Sequence, residues 1–443
     1  MDRMDGETGV RAVTVVRGDV VALRDVTLLA APGELLAVLG ASGSGKSTLL
    51  RTVAGLLPLR AGEVVIDGEP ATRMSPGERR VAMVFEDGAL IPFLDAADNM
   101  GWGLRARRVP RSEVDRRVAG RAGQLRMSRI LHRKPDQLSE GERGLVGIGR
   151  ALVQTPRVFL LDEPLAHLDA AERLRVRRRI VEVVRSLAVT TLYVTHDPTE
   201  ALALADRVAL LHEGRVRQLD PPGTLYDRPA DLVVAAMVAP IGLVPGRLVH
   251  AGELAGYQVG GVTLPLWGPA PSEVDDRPLV LGFRAEDVWT DPDTAAGPAA
   301  GREAGAAADT VPVDAVVTGV EYTGRHHAVT LAVGAPPVTA PGAGLSAAGG
   351  ATLRALYPAR QQVRTGDAVR VRLDARRAHV FDAATRHRPV PPVTRGALRP
   401  YRTRRGRGCR PWYERGHDSP VRPRPGRGGD RAARGRGHRA AVR

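Results

Sequence analysis

Residues Gly40-Ala41-Ser42-Gly43-Ser44-Gly45-Lys46-Ser47-Thr48 constrain this chain more than any other segment. The apolar run 34–39 stands directly before them, and a helical pattern opens at Lys46, so the chain reads strand, glycine-rich loop, helix. In that context Gly40, Gly43 and Gly45, with Ser42, Ser44 and Thr48 between and after them, let backbone N–H groups cup a β-phosphate. The helix N-terminus adds a partial positive charge. Lys46 reaches the β- and γ-phosphates and Ser47 offers a hydroxyl to Mg²⁺. Lys46 and Lys134 are the only lysines in 443 residues, so a chain that otherwise uses arginine keeps a compact point charge here. A glycine-rich turn without function is the alternative, and the matching strand–loop–helix context weighs against it.

A second apolar strand, Val158-Phe159-Leu160-Leu161, ends in Asp162-Glu163-Pro164. Asp162 is suited to holding Mg²⁺, and Glu163 to polarising an attacking water as general base. A lone acidic pair at a strand end is commonly just solvated; its place downstream of a phosphate loop argues otherwise.

Residues 1–239 alternate strand-like runs (34–39, 81–85, 158–161 and 191–195) with helices expected to start at Lys46, Val114, Gly141, Ala170 and Pro198. That alternation predicts an α/β domain on a largely parallel sheet. From 240 to 385 the pattern changes to short strands split by Gly and Pro (279–283, 315–321, 328–333, 368–373, 379–381), the texture of a small all-β barrel, with 295–308 and 335–350 as long loops. Residues 386–443 are Arg, Gly and Pro with almost no aliphatic periodicity and read as a disordered tail.

Charge confirms where nucleic acid does not belong. Between 395 and 443 there are 16 arginines against Glu414, Asp418 and Asp430, which leaves +2 of the chain's +15 for everything before. A body so nearly neutral lacks the footprint of a DNA- or RNA-binding domain. The basic tail admits two readings, a contact with acidic lipid headgroups or RNA and an extension without function; charge runs are usually just solvated, which favours the second. One cysteine, Cys409, excludes an internal disulfide framework. The start of the chain lacks the apolar core of a signal peptide, and the longest apolar stretch, 232–245, is too short to span a bilayer and holds two prolines. A membrane role is therefore expected to come through partners.

The phosphate loop and Asp162-Glu163, with Leu138-Ser139-Glu140-Gly141-Glu142 before the acidic pair and Thr195-His196-Asp197 after it, resemble an ABC transporter ATPase subunit. The likeness continues through Val84-Phe85-Glu86-Asp87-Gly88-Ala89-Leu90, Asp98-Asn99-Met100 and Leu165-Ala166-His167-Leu168-Asp169. In the C-terminal part, Leu281-Gly282-Phe283-Arg284-Ala285-Glu286-Asp287, Val320-Glu321-Tyr322-Thr323-Gly324 and His379-Val380-Phe381-Asp382 resemble the OB-type regulatory barrel of the maltose and glycerol-phosphate importer class. The resemblance covers residues 12–390.

It implies an ATPase domain at 1–239 with a helical subdomain at 88–150, an OB-type domain at 240–385, ATP and Mg²⁺ as ligands, and a homodimer that sandwiches two ATPs. Lys46, Glu163 and His196 would be catalytic, His196 holding the γ-phosphate. Ser139 and Gly141 would face the ATP of the partner subunit, and Asp169 would match the loop that crosses to it. Ser47, Asp162 and Glu86 would hold the metal. The implied partners are two membrane permease subunits and an extracytoplasmic solute-binding protein, with the chain at the cytoplasmic face of the membrane. The implied cargo is a carbohydrate; polyamine, iron and sulfate importers share the architecture.

The chain departs from the family at four places. Glu86 replaces a glutamine that touches Mg²⁺ and the attacking water. Glu140 and Glu142 replace a glycine and a glutamine. Arg17 stands where an aromatic stacks on adenine, and a guanidinium can stack in its place. His167 replaces a small or amide residue. These departures raise a competing reading, a regulatory protein that binds nucleotide and hydrolyses it poorly. A third reading, an ATPase acting on nucleic acid, would need a second cassette or sustained heptads, and neither is present.

Overall fold

The computed structural model describes residues 6–86, 88, 90–251, 254–259, 262–265, 278–290, 310–334 and 351–388. Asp87 and Ala89, the expected long loops 295–308 and 335–350, and the tail beyond Arg388 lie outside them. The described chain belongs to one unit that ends at Pro392.

β1 (Thr8–Arg17) and β2 (Val20–Ala30) pair antiparallel across the turn Gly18-Asp19, and with β4 (Ala61–Ile66) and β5 (Glu69–Pro70) form a four-stranded sheet ordered β2-β1-β4-β5. The sequence reading placed no strand here. Two non-glycine residues with positive φ, Ala12 (48°) and Asp25 (51°), accompany register shifts that break the two-residue alternation on which such a reading rests.

The expected parallel sheet contains β3 (Leu35–Leu39), β6 (Val81–Val84), β7 (Val158–Asp162), β8 (Thr190–Thr195), β9 (Arg207–His212) and β10 (Arg215–Asp220), in the order β10-β9-β3-β8-β7-β6. Only β10 runs antiparallel. β3, β7 and β8 are buried at every position, as a sheet covered on both faces requires. One face packs with α1 (Lys46–Val53) and the antiparallel sheet, through Leu36, Val38, Leu49, Val53, Val10 and Val26. The other packs on α2 (Ala96–Ala106), α3 (Arg111–Gln124), α4 (Glu140–Leu152) and α5 (Ala170–Leu187), through Met100, Val118, Ile148 and Ile180. α3 begins three residues earlier than expected because Pro110, unable to donate, sits naturally at its N-cap.

Behind the sheet, α6 (Pro198–Leu204), α7 (Pro222–Asp227) and α8 (Leu232–Val238) share a small core with β3 and β9. Beyond them ten strands form one antiparallel sheet: β11 (Ile241–Ala251), β12 (Leu254–Val259), β13 (Val262–Pro265), β14 (Pro278–Arg284), β15 (Val288–Thr290), β16 (Val311–Tyr322), β17 (His326–Val333), β18 (Ala351–Pro358), β19 (Ala368–Leu373) and β20 (His379–Asp382). All five strands expected in this stretch lie within them.

Arg284, fully buried at the end of β14, joins this sheet to the helices. It donates to the carbonyls of Ala235 and Ala239, and its guanidinium lies 4.7 Å from the ring centroid of Tyr226, whose hydroxyl is bonded to Glu286. The expected tail boundary at 386 falls too early. Arg386 accepts from Leu232 N at 3.1 Å, and Arg388 N donates to Ala230 O at 2.9 Å, so these residues pair with the start of α8. Composition missed this because the pairing uses backbone alone.

Candidate functional site

Three parallel strands side by side aim their C-terminal ends at one place. Leu39 of β3 is in register with Thr195 of β8, and Val194 of β8 with Asp162 of β7. The residues that follow each strand are the glycine-rich loop, His196 and Glu163. Adjacent parallel strands thus bring together residues separated by more than 100 positions, at the sheet edge where α/β folds bind ligands.

Two glycines of the loop are required by shape. A Cβ on Gly45, whose φ is +106°, would stand 2.6 Å from Ala22 O, and one on Gly40 would meet Leu211 O at 2.5 Å. With the loop so held, Lys46 leads α1 with its side chain 4% exposed. Its Nζ donates to Gly40 O at 2.9 Å and Ala41 O at 3.1 Å and lies 3.3 Å from Glu163 Oε1. A buried ammonium needs such partners, and these are the ones an entering phosphate would replace.

Glu163 adopts φ 47°, in the left-handed region that costs a side-chain-bearing residue of order 1 kcal/mol or more. Its N–H donates to Val194 O at 3.0 Å, and its other carboxylate oxygen lies 2.5 Å from His196 Nδ1. The turn after β7 thereby holds one carboxylate between the loop lysine and the histidine.

Asp162, one residue earlier, is 5% exposed and accepts a 3.0 Å hydrogen bond from Ser47 Oγ. Burial raises its carboxyl above the ordinary value; the Ser47 bond and the charge of Arg51 oppose this, while Glu163 and Glu86 push it further up. Asp162 and Ser47 place two hard oxygens side by side, of the kind Mg²⁺ binds, although among the described residues no group of three or more His, Cys, Asp or Glu is arranged to hold a metal ion. Glu86 is half-exposed, and its Oε1 lies 3.7 Å from Nε2 of His167, so two of the departures from the family pattern face each other.

A cleft of 1230 Å³ opens beside the loop, lined by Ser42, Gly43, Gly45, Lys46, Ser47, Thr48 and Glu163 on one side and Arg17, Gly18, Val20, Arg24, His212 and Arg215 on another. Arg17 ends β1 with its side chain exposed toward this space. Ser44 Oγ, inside the loop, is buried without a hydrogen-bond partner, an unmet capacity that suits a loop built around a polyphosphate.

Ser139, Gly141 and Asp169 do not line this cleft. Ser139 caps α4, accepting from Glu142 N at 3.2 Å while Glu142 accepts from Ser139 N at 3.0 Å. This reciprocal cap explains why a glutamate serves at 142, since either Glu or Gln completes it. Ser139 Oγ donates to Glu172 of α5 at 2.8 Å, and the same carboxylate lies over Gly141. Asp169 caps α5 through the N–H groups of Ala171 and Glu172. Glu140 is exposed in the first turn of α4, where the helix dipole favours an acid.

Sequence reasoning missed Arg51, Arg173 and Glu200, all beside the cluster. Glu200 is buried and accepts from Tyr193 Oη at 3.0 Å and Thr195 Oγ1 at 2.9 Å. A signal was present: Asp197 followed three residues later by Glu200 has the spacing of a helix start, so an acid turned inward there stood out only once the fold was known.

The sequence pattern of the ABC transporter family matches residues 23–166. The chain is 38% identical over 385 residues to an sn-glycerol-3-phosphate import ATP-binding protein UgpC of Cereibacter sphaeroides, covering 86% of this chain and 99% of that one. It is 44% identical over 266 residues to the protein of the same name from Ralstonia nicotianae, covering 58% of this chain and 72% of that one. It is also 35% identical over 393 residues to the trehalose/maltose import ATP-binding protein MalK of Thermococcus litoralis, covering 85% and 98%.

Proposed function

This chain belongs to the ABC transporter family of import ATP-binding proteins, and from that premise we propose how its residues work as the ATP-binding and ATP-hydrolysing subunit of an importer. The observation that carries the reading is the convergence of Lys46, Glu163 and His196, at 3.3 and 2.5 Å, on a loop shaped for phosphates. ATP occupies the cleft with its triphosphate along residues 40–48, and Arg17 packs on the base. Lys46 exchanges the carbonyls of Gly40 and Ala41 for β- and γ-phosphate oxygens. Glu163 accepts the proton of the attacking water, and His196, fixed against Glu163, donates to the γ-phosphate. Ser47, Asp162 and Glu86 hold Mg²⁺, which when bound offsets the charge of the β- and γ-phosphates.

Ser139, Gly141 and Asp169 lie outside the chain's own cleft, which supports a role toward the nucleotide of a second copy in a homodimer. For the membrane permease subunits, the segment after β6 offers a surface. The fully buried Asn99 side chain binds the backbone of Ile91, Leu94 and Asp95 within 3.1 Å, and this fixed loop and α2 expose Phe93 (72%) and Trp102 (49%). Among the described residues no helix is long and apolar enough to cross a membrane. The names of the relatives, import ATP-binding proteins, support a peripheral place at the cytoplasmic face of the membrane. We read the sheet of β11–β20 as an OB-type regulatory domain following the ATPase domain of residues 1–239. The relatives' names point to a carbohydrate or a glycerol phosphate as cargo, and we read a solute-binding protein as the partner that delivers it.

The test is Mg²⁺-dependent ATP hydrolysis by the purified chain beside Lys46→Ala. The account predicts turnover in the wild type and less than about a tenth of it in the variant, with weaker nucleotide binding. Turnover retained in Lys46→Ala would remove the site assignment.

A further inference from the structure

We propose that Arg173 is a positioning residue for hydrolysis: it ties the segment before α5 to the segment after β8, so that the placement of His196 against Glu163 depends on where Leu168 sits. This rests on the ATPase reading above.

Arg173 stands in the first turn of α5, where a surface arginine would ordinarily point to water. Its side chain instead turns inward and is only about a third exposed, 35%. Nη2 donates to Leu168 O at 3.0 Å, the residue just before the α5 cap. Nη1 lies 3.8 Å from Asp197 Oδ2, and Nε lies 3.8 Å from Glu200 Oε1. One planar fork therefore addresses a carbonyl of the segment that leads into Asp169 and two carboxylates that follow His196, one and four residues on. A lysine, with one point of charge, could not span all three.

The far end of this link is itself fixed. Glu200 is buried and receives the hydroxyls of Tyr193 and Thr195. Thr195 Oγ1 in turn accepts from Asp197 N at 3.0 Å. Arg173 thus reaches both the acid that organises residues 195–197 and the residue next to His196. Nε is buried and makes no hydrogen bond, since 3.8 Å is an ion-pair distance. Beside it is a 30 Å³ void bounded also by Glu163, His196 and Glu200, room for one water. The link is consequently tight toward Leu168 and slack toward Asp197 and Glu200. A shift of the 165–169 segment, such as docking of a second subunit would cause, can take up that slack and move His196 relative to Glu163.

The test compares the wild-type chain with Arg173→Ala and Arg173→Lys in two ways. Amide hydrogen exchange needs no catalysis: Arg173→Ala should speed exchange of Asp197 N–H about tenfold or more while central α5 amides stay protected. In steady-state kinetics, kcat should fall about tenfold in Arg173→Ala with the nucleotide Kd within about twofold, and Arg173→Lys should recover part of the loss. Unchanged exchange at Asp197, or equal kcat and Kd in a folded Arg173→Ala, would overturn the proposal. Exchange accelerated throughout α5 would do so too, because Arg173 would then be holding the helix rather than the histidine. A wild type without hydrolysis would sink the ATPase reading and still leave the exchange measurement to decide this one.

Discussion

Glu86 brings a third carboxylate to a place that already holds Asp162 and Glu163, and Asp162 registers its charge. A glutamine there would bind a metal through its carbonyl oxygen without opposing the γ-phosphate. The imidazole of His167 lies 3.7 Å from Glu86, so the two departures from the family pattern are neighbours. We expect Glu86→Gln to tighten ATP binding by up to about 1 kcal/mol, the scale of a partly exposed charge contact, and to weaken the dependence on Mg²⁺ concentration. The check is ATP titration at several Mg²⁺ levels in both forms; superimposed curves would place Glu86 outside the site. What was legible beforehand is placement: Asp162, Glu163 and His196 at strand ends, and Lys46 and Ser47 at the start of a helix. Arg51, Arg79 and Arg173 were not legible, because in a chain whose cation is almost always arginine nothing local separates a buried arginine from a solvated one.

α1 shows what such a hidden arginine does for an element. The helix that presents Lys46 is only eight residues long and ends inside the protein; backbone N–H groups of residues 54–56 reach the carbonyls of Leu50, Arg51 and Thr52, which leaves Val53 O to find a side-chain donor. Arg79, 5% exposed, donates through Nη1 to Thr52 O and Val53 O, both at 2.8 Å, and through Nε to Met74 O at 3.1 Å. Arg79→Met keeps the bulk and removes the donors, and should destabilise the chain by roughly 1–3 kcal/mol in urea denaturation, from the buried Val53 O left unpaired, since Thr52 O keeps its 3.1 Å bond from Gly55 N. A loss under about 0.5 kcal/mol would mean that water replaces Arg79 there.

In β20, His379 is held down to a pKa of about 4, first by burial and then by the charges of Arg284 and Arg388, with Glu286 opposing. The folded chain therefore refuses a proton that the unfolded chain accepts below the ordinary imidazole value of 6.5. Stability should fall as pH drops from 6.5 toward 4 and gain no further loss from this group below that. Melting temperatures across that range should decline less in His379→Gln; parallel curves would assign the decline elsewhere. The strands around this histidine were readable from their two-residue alternation, whereas the bulged β1 and β2 were not, since Ala12 and Asp25 interrupt it.

At the scale of the molecule, the proposed reading makes this site half of a working unit. Lys46 and Glu163 line one cleft with His196 bonded to Glu163 beside it, while Ser139, Gly141 and Asp169 sit away from it on the caps of α4 and α5, and Arg173 links the segment before α5 to the one after β8. Which surfaces meet a partner could not be read from the sequence by chemistry alone, because a cap serine and a catalytic serine look the same there; the family likeness supplied that division. The central claim is that this chain hydrolyses ATP with Glu163 as the base. Glu163→Gln keeps the hydrogen-bonding shape of the side chain and removes its capacity to take a proton. The decisive measurement is steady-state ATP hydrolysis, equilibrium ATP binding and molecular mass by light scattering, for the wild type and Glu163→Gln with Mg²⁺. The account predicts hydrolysis in the wild type, a loss of about a hundredfold or more in the variant, retained ATP binding, and a dimer that forms in the variant only with nucleotide. Hydrolysis surviving at the wild-type rate in Glu163→Gln would contradict it.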